Sequence, residues 1–215
     1  MPLTLAFDAA AGRCAVALFD GGILLDERAE VMEHGHAERL FPMIEESLAA
    51  AGRGWREISL IAVGVGPGNF TGARIAVAAA RGLALSTGAR AVGVDRFEAL
   101  AEGVPGPVCA ALIGRGGALH LARFENGGST CEAMTLPAAE GGAFARGALV
   151  VGDGAAALIA ATGEGRPGPE LAETPLSALS RVAARKAALG APRPAPRYLQ
   201  PAGAAPMRPA PTILR

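Results

Sequence analysis

The most informative stretch of the sequence is Val63-Gly64-Val65-Gly66-Pro67-Gly68-Asn69-Phe70-Thr71-Gly72-Ala73-Arg74-Ile75. An apolar run over residues 58–63 leads into it, and a long Ala-rich apolar segment follows it. That order predicts a strand, a glycine turn and a helix. Three glycines and a proline within residues 66–72 indicate positive φ angles or a very close approach of two backbones. Thr71 is the predicted N-cap of the helix, because its hydroxyl can accept from the free amides of the first turn.

The residues alone leave several interpretations of this turn open. In the first, residues 66–74 form a structural corner that sets the angle of the helix and binds nothing. In the second, bare N–H groups at the helix N-terminus hold a phosphate, although the Lys-Ser or Lys-Thr pair of the phosphate-loop consensus is absent. A dinucleotide site is a version of the second, since Gly66-x-Gly68-x-x-x-Gly72 leads through a helix to Asp95. It would make the chain a dinucleotide-dependent oxidoreductase built on Gly66–Asp95, but the spacing departs from G-x-G-x-x-G.

Apolar periodicity and turn signals predict the order β-β-β-α-β-α-β-α over the first hundred residues. The predicted strands are residues 3–7, 13–19, 23–32, 58–63 and 90–94, and the predicted helices are residues 36–51, 71–87 and 97–102. An antiparallel triplet followed by crossover units is characteristic of ribonuclease-H-like and actin-like domains. The predicted fold class is therefore α/β, with an actin-like (ribonuclease-H-like) fold of two related βββαβα-type subdomains.

The turn-rich segment 103–107 is the best candidate for a domain boundary. We predict an N-terminal actin-like subdomain over residues 1–103, which carries the glycine turn, and a smaller C-terminal subdomain over residues 104–190. The second subdomain is expected to contain a hairpin around residues 114–117, a buried strand at 148–151 and helices near 138–145, 155–161 and 175–189. Residues 191–215 form a Pro-rich tail, predicted to be extended or disordered.

Composition restricts the class of protein. Apolar residues make up 51% of the chain, charged residues 19%, and the formal net charge is zero, which fits a globular protein and not a disordered one. A protein that holds nucleic acid by itself usually has a basic surface, so the zero net charge does not favour nucleic-acid binding by this chain alone. The three cysteines have no C-x-x-C spacing. No signal peptide or membrane-spanning run is visible, so a cytoplasmic location is expected, without membrane contact.

The motif Gly-Pro-Gly-x-Phe-Thr-Gly-x-Arg-Ile, followed by Ala80-Arg81-Gly82-Leu83-Ala84, resembles the signature of the TsaB (YeaZ) family. The segments 5–8, 36–44, 151–155 and 196–199 resemble further landmarks of that family. These are bacterial partner proteins in making threonylcarbamoyladenosine in tRNA. The family motif loop falls on Gly66, Pro67, Gly68, Asn69, Phe70, Thr71, Gly72 and Arg74.

The resemblance implies a non-catalytic scaffold, a pseudoenzyme partner of a threonylcarbamoyltransferase. It implies that the chain binds and activates the catalytic TsaD subunit and recruits the TsaE ATPase. Whether the chain is a homodimer or a monomer when alone is left open by the sequence. No cofactor is expected to be tightly bound, and ATP or ADP would lie at a shared interface. A glycoprotease activity has no support from the residues, since neither a zinc motif nor a nucleophile is visible.

Actin-like ATPases hold phosphates in two hairpins that each carry an acid, glycines and a hydroxyl residue. Here Asp8 is followed by alanines, and the second hairpin, Gly114-Arg115-Gly116-Gly117, has no acid although the family usually has an Asp at Gly114. We therefore expect at most a remnant of a nucleotide site. The candidate residues are Asp8, Gly152, Asp153 and Gly154. No metal site is predicted, because His34 and His36 are two residues apart and have no third ligand nearby.

The helices predicted at 36–51 and 71–87 are expected to pack side by side and to share an exposed face that docks the same two helices of a related subunit. The first helix carries more apolar residues than one buried stripe needs, and the second is built from small residues. The residues assigned to this interface are His36, Arg39, Leu40, Met43, Ser47, Ala76, Ala79 and Ala80.

Overall fold

The computed structural model of the protein describes residues 3–170 and 174–199. A first sheet of five strands has the order β3-β2-β1-β4-β5. Its strands are β1 (Leu3–Asp8), β2 (Arg13–Asp20), β3 (Ile23–Val31), β4 (Ile58–Gly64) and β5 (Arg90–Val94). The first three strands are antiparallel, and β4 and β5 run parallel to β1. An antiparallel triplet extended by parallel crossover strands is the predicted actin-like arrangement, which is confirmed.

Helices cover both faces of the first sheet. The helices α1 (His36–Ala50) and α2 (Phe70–Thr87) pack on one face, over the large side chains of β1, β2 and β4 such as Leu5, Phe7 and Ile61. On the opposite face the same strands present mainly alanines, against which α6 (Leu176–Ala188) packs through Leu179 and Val182. All six residues of β1 are buried, since side chains from both of its faces lie under helices.

The second sheet has the order β11-β10-β6-β7-β8, with β9 paired to β7. Its strands are β6 (Val108–Ile113), β7 (Leu119–Glu125), β8 (Gly128–Ser129), β9 (Met134–Leu136), β10 (Leu149–Val151) and β11 (Arg166–Pro167). Two short helices, α4 (Gly142–Ala145) and α5 (Ala155–Thr162), cover one face of this sheet, and α3 (Arg96–Ala101) packs against the other.

Two predictions about the second half need correction. The helix predicted at 138–145 is a 3-10 turn (Ala138–Glu140) followed by α4. The helix α6 was assigned with residues 104–190 to the second subdomain, yet it packs on the first sheet, because its apolar stripe fits the alanine-lined face there. Residues 191–199 are extended, as predicted, and are hydrogen-bonded to β5 and α2. The rest of the predicted tail, 200–215, lies outside the described residues, and the division into separate domains stays a prediction.

Local chemistry explains where α2 begins and ends. The N-cap is Asn69 and not Thr71 as predicted, because the Asn69 Oδ1 accepts from the backbone N–H groups of Thr71 (3.1 Å) and Gly72 (3.2 Å). At the other end, Gly88 adopts a φ of 77° and closes the helix in the left-handed conformation that glycine tolerates best. Among residues 3–170 and 174–199, every helix is too short or too polar to span a lipid bilayer.

Candidate functional site

The glycine turn between β4 and α2 is filled by the chain's own backbone. A Cβ atom at Gly68 would lie 2.1 Å from the carbonyl oxygen of Ala10, and one at Gly72 would lie 1.8 Å from that of Ala9. The N–H of Asn69 donates to the same Ala10 oxygen at 2.6 Å. The loop that joins β1 to β2 therefore occupies the space that the glycines leave, which is the close backbone approach predicted from their density.

Several groups that could bind an anion at this turn already have partners. The N–H groups of Thr71 and Gly72 donate to the Asn69 side chain, as described above. Asp95, the acid of the dinucleotide interpretation, is the N-cap of α3, where it accepts from the N–H of Glu98 at 2.8 Å and pairs with Arg197. Burial raises the pKa of Asp95, although Arg197 opposes the change. The geometry favours a structural corner over a phosphate cradle or a dinucleotide site.

Between the two sheets lies a cleft of about 400 Å³. Arg96, at the start of α3, is buried in its floor and donates to the hydroxyl of Thr174 (3.1 Å) and to the carbonyl of Pro67 (3.4 Å). The Arg96 guanidinium also lies 3.7 Å from the carboxylate of Asp153. Arg96 thus joins the glycine turn to the second sheet. No sequence signal indicates this role, since a lone arginine after a strand fits a solvated helix start equally well.

The four residues assigned to a nucleotide remnant do not act as one group. Asp153 lines the cleft, and its carboxylate accepts from the N–H of Ile113 at 2.8 Å. Asp8 is buried beside Gly64; one of its oxygens accepts from the N–H of Ala10 at 2.7 Å and the other has no partner in the described residues. Gly152 and Gly154 permit close packing on the second sheet, since Cβ atoms there would lie 2.4 Å from the carbonyl oxygen of Ala111 on β6 and 2.9 Å from the Leu119 side chain on β7.

At the second hairpin, Gly114 is packed closely against His120. A Cβ atom at Gly114 would lie 2.9 Å from the Nε2 of His120, so an aspartate would require the imidazole to move. The other ring nitrogen of His120 lies 2.7 Å from the hydroxyl of Thr135, which fixes the ring. Burial and the nearby Arg96 lower the pKa of His120. Within residues 3–170 and 174–199, no group of three or more His, Cys, Asp and Glu side chains could hold a metal ion.

Two motif residues hold the segment 191–199, which we call the C-terminal strap. The ring of Phe70 stacks on Tyr198 with centroids 4.1 Å apart, and the guanidinium of Arg74 lies 3.9 Å from the Phe70 centroid. Arg74 also donates to the hydroxyl of Tyr198 at 2.8 Å, and the N–H of Arg197 donates to the carbonyl of Val65 at 2.8 Å. The family motif loop therefore contacts the landmark segment at residues 196–199 directly.

The residues predicted to form the docking face are mostly buried in the protein's own core. His36, Leu40, Met43, Ser47, Ala76, Ala79 and Ala80 are all at most 7% exposed. Arg39 is engaged in ion pairs with Glu30 (2.6 Å) and Glu46 (2.7 Å). The side-by-side packing of α1 and α2 is confirmed. Apart from Arg39, however, the assigned side chains are buried, because the apolar stripes of both helices pack against the first sheet.

The outward faces of α1 and α2 carry other residues. On α1, Phe41 is 43% exposed. On α2, Leu85 near the C-terminal end is 81% exposed, and Ala78 in the middle of the helix is also exposed. The neighbouring carboxylates Glu30 and Glu46 have pKa values lowered by hydrogen bonds from Arg39. The outer layer of the first sheet therefore combines exposed apolar side chains with charged ones.

Comparisons with known proteins agree on one relationship. Residues 27–152 match the family model described as "TsaD: tRNA N6-adenosine threonylcarbamoyltransferase". The chain is 34% identical over 144 residues to the tRNA threonylcarbamoyladenosine biosynthesis protein TsaB of Escherichia coli (strain K12), covering 62% of this chain and 62% of the relative. It is 35% identical over 98 residues to the protein of the same name from Haemophilus influenzae, covering 46% of this chain and 41% of the relative.

A solved structure is similar over nearly the whole chain. The fold matches that of YeaZ from Pseudomonas aeruginosa with a TM-score of 0.75 and 27% sequence identity, over 88% of this chain and 94% of YeaZ. The two sequence relatives, in contrast, are each matched over less than two thirds of their own length.

Proposed function

This chain belongs to the TsaB (YeaZ) family and carries the TsaD-family domain, and we therefore propose that it is a non-catalytic partner subunit in the biosynthesis of threonylcarbamoyladenosine in tRNA. The observation that carries the proposal is the structural match to YeaZ over 94% of that protein. In the proposed complex, the chain binds and activates a TsaD-type catalytic subunit and recruits a TsaE-type ATPase, and it meets tRNA only through the complex. When the partner is absent, the chain pairs with a second copy of itself.

The chemistry of the cleft supports a non-catalytic role. Phosphate-binding hairpins need acids and hydroxyl donors, but here alanines follow Asp8, and Gly114 is packed against His120. Asp153 is already bonded to the backbone of β6 and lies near Arg96. We accordingly place ATP or ADP at the interface with the catalytic subunit, with no cofactor held tightly by this chain alone.

The outward faces of α1 and α2 are the proposed docking surface. Both helices lie on the same side of the first sheet and leave Phe41 and Ala78 exposed there. Protein interfaces depend on a few well-packed anchors, and aromatic side chains such as Phe41 are favoured among them. The buried residues that the sequence analysis assigned to the interface would pack beneath these exposed side chains and would not contact the partner.

A charge on the docking surface is expected to break the complex without unfolding the protein. We predict that Phe41→Asp and Ala78→Asp each weaken binding to the TsaD-type subunit at least tenfold, because a carboxylate would be desolvated against the partner. Binding can be measured by co-purification and by calorimetric titration, with circular dichroism as the test of folding. Ala156→Asp is the matched control, since Ala156 is also exposed but lies on α5 beside the second sheet.

Two results would count against these proposals. If Phe41→Asp and Ala78→Asp bind with unchanged Kd, the docking surface lies elsewhere. If the wild-type chain captures no TsaD-type subunit at any concentration tested, the proposed function itself is wrong.

A further inference from the structure

The zero net charge of the chain conceals a segregation of charge across the first sheet. At one edge, β3 and the adjacent α1 are rich in Asp and Glu. At the other edge, β5 begins with Arg90, and the neighbouring α2 contains Arg74 and Arg81 but no acidic residue. The C-terminal strap adds Arg193 beside that edge. Cationic side chains therefore gather on one side of a molecule that is neutral as a whole.

An open groove of about 580 Å³ lies between α2, the start of β5 and the strap. Three guanidinium groups line it, those of Arg81, Arg90 and Arg193, and none of the lining residues is acidic. The strap orients two of them, because Arg81 donates to the carbonyl of Pro194 at 2.8 Å and Arg90 to that of Ala191 at 3.3 Å. Each of these bonds uses one nitrogen, which leaves further N–H donors of the same guanidinium for a ligand.

The charge of this groove is not compensated by neighbouring acids. Among the described residues, no ion pair joins Arg81, Arg90 or Arg193 to a carboxylate. The acids on the far side of the strap are Asp95 and Glu98. They are already paired, with Arg197 and Lys186 respectively.

We propose that this groove binds the phosphate backbone of tRNA in the assembled complex, an inference that rests on the proposed function. Guanidinium groups match phosphate geometry with paired N–H donors, and three of them in one acid-free groove favour a polyanion. A protein partner is less well matched, because its docking site would need aromatic or apolar anchors. The groove walls offer one strongly exposed apolar side chain, Leu85, and no aromatic ring. Three phosphate contacts from these guanidinium groups would add to the tRNA binding of other subunits. So few contacts agree with the expectation that this neutral chain does not hold tRNA alone.

The salt dependence of tRNA binding tests this inference. The probe is an unmodified tRNA transcript, titrated at several salt concentrations against the complex of the full chain with its TsaD-type subunit. Because each phosphate contact contributes about 0.7–0.9 to the slope of log K against log salt, Arg90→Gln with Arg193→Gln should reduce that slope by about 1–2. Arg81 is left unchanged because its bond to Pro194 holds the strap. The control pair, Arg56→Gln with Arg166→Gln, removes the same charge from exposed positions away from the groove and should leave the slope unchanged.

Three results would overturn the inference. The first is an unchanged slope in the groove variant, and the second is an equal loss in the groove and control variants, which would reflect net charge alone. The third is weaker binding of the groove variant to the catalytic subunit without RNA, which would make the groove a protein-docking site. Failure to capture a catalytic subunit would instead overturn the proposed function, whereas an intact complex with an unchanged slope overturns the groove inference alone.

Discussion

Gly72→Ala is expected to lower the free energy of unfolding by about 3–5 kcal/mol, among the largest effects of any single methyl group in this protein. The added Cβ would lie 1.8 Å from the carbonyl oxygen of Ala9 and 2.8 Å from its carbon. Both are backbone atoms between two hydrogen-bonded strands, so the clash cannot be relieved by a side-chain rotation. Urea denaturation followed by circular dichroism measures the change, provided that the slope of the transition is unaltered.

Gly82→Ala is the matched control on the same helix. Gly82 is exposed within α2, and a Cβ there would meet nothing within 4 Å. Replacing a helical glycine by alanine should therefore stabilise the protein by about 0.5–1 kcal/mol. Equal stability of Gly72→Ala and Gly82→Ala would show that the first hairpin does not fill the glycine turn in solution.

Met43→Asp is expected to prevent stable folding, with a loss of roughly 4 kcal/mol or more. The Met43 side chain is fully buried between α1 and the first sheet, where an aspartate would lose its hydration without gaining a partner. Loss of the cooperative thermal transition, followed by circular dichroism, is the measurement.

Ala37→Asp is the control for this change, since Ala37 is exposed in the first turn of α1, where a carboxylate is tolerated or favoured by the helix dipole. Its stability should stay within about 0.5 kcal/mol of the wild type. A folded Met43→Asp that fails only in partner binding would restore Met43 to the docking surface and contradict the core assignment.

Local sequence signals predicted the elements of the first sheet well. The helix predicted at 36–51 is His36–Ala50, and the strand, turn and helix around the glycines are found where the pattern placed them. These signals depend on neighbours in the sequence: apolar periodicity, glycine density and the turn residues that separate strands. The close backbone approach was predictable for the same reason, because few other causes require three glycines so close together.

What the sequence could not supply depends on contacts between distant residues. The apolar residues of α1 and α2 are distributed over more than one helical face, so periodicity could not tell which stripe the sheet would bury. Met43 was consequently assigned to the surface. The C-terminal strap is similar: its prolines predict an extended chain, but its anchoring depends on Arg81, which is 113 residues from Pro194. Arg96 also has its partners far away in the sequence, as its bond to Thr174 shows.

Mass spectrometry of the nucleosides in total tRNA tests the proposed function most directly. Cells depleted of this protein should lose at least nine tenths of their threonylcarbamoyladenosine. Re-expression of the wild type or of Ala156→Asp should restore it, whereas Phe41→Asp with Ala78→Asp should not. An unchanged level of the modified nucleoside after complete depletion would contradict a role for this chain in its biosynthesis.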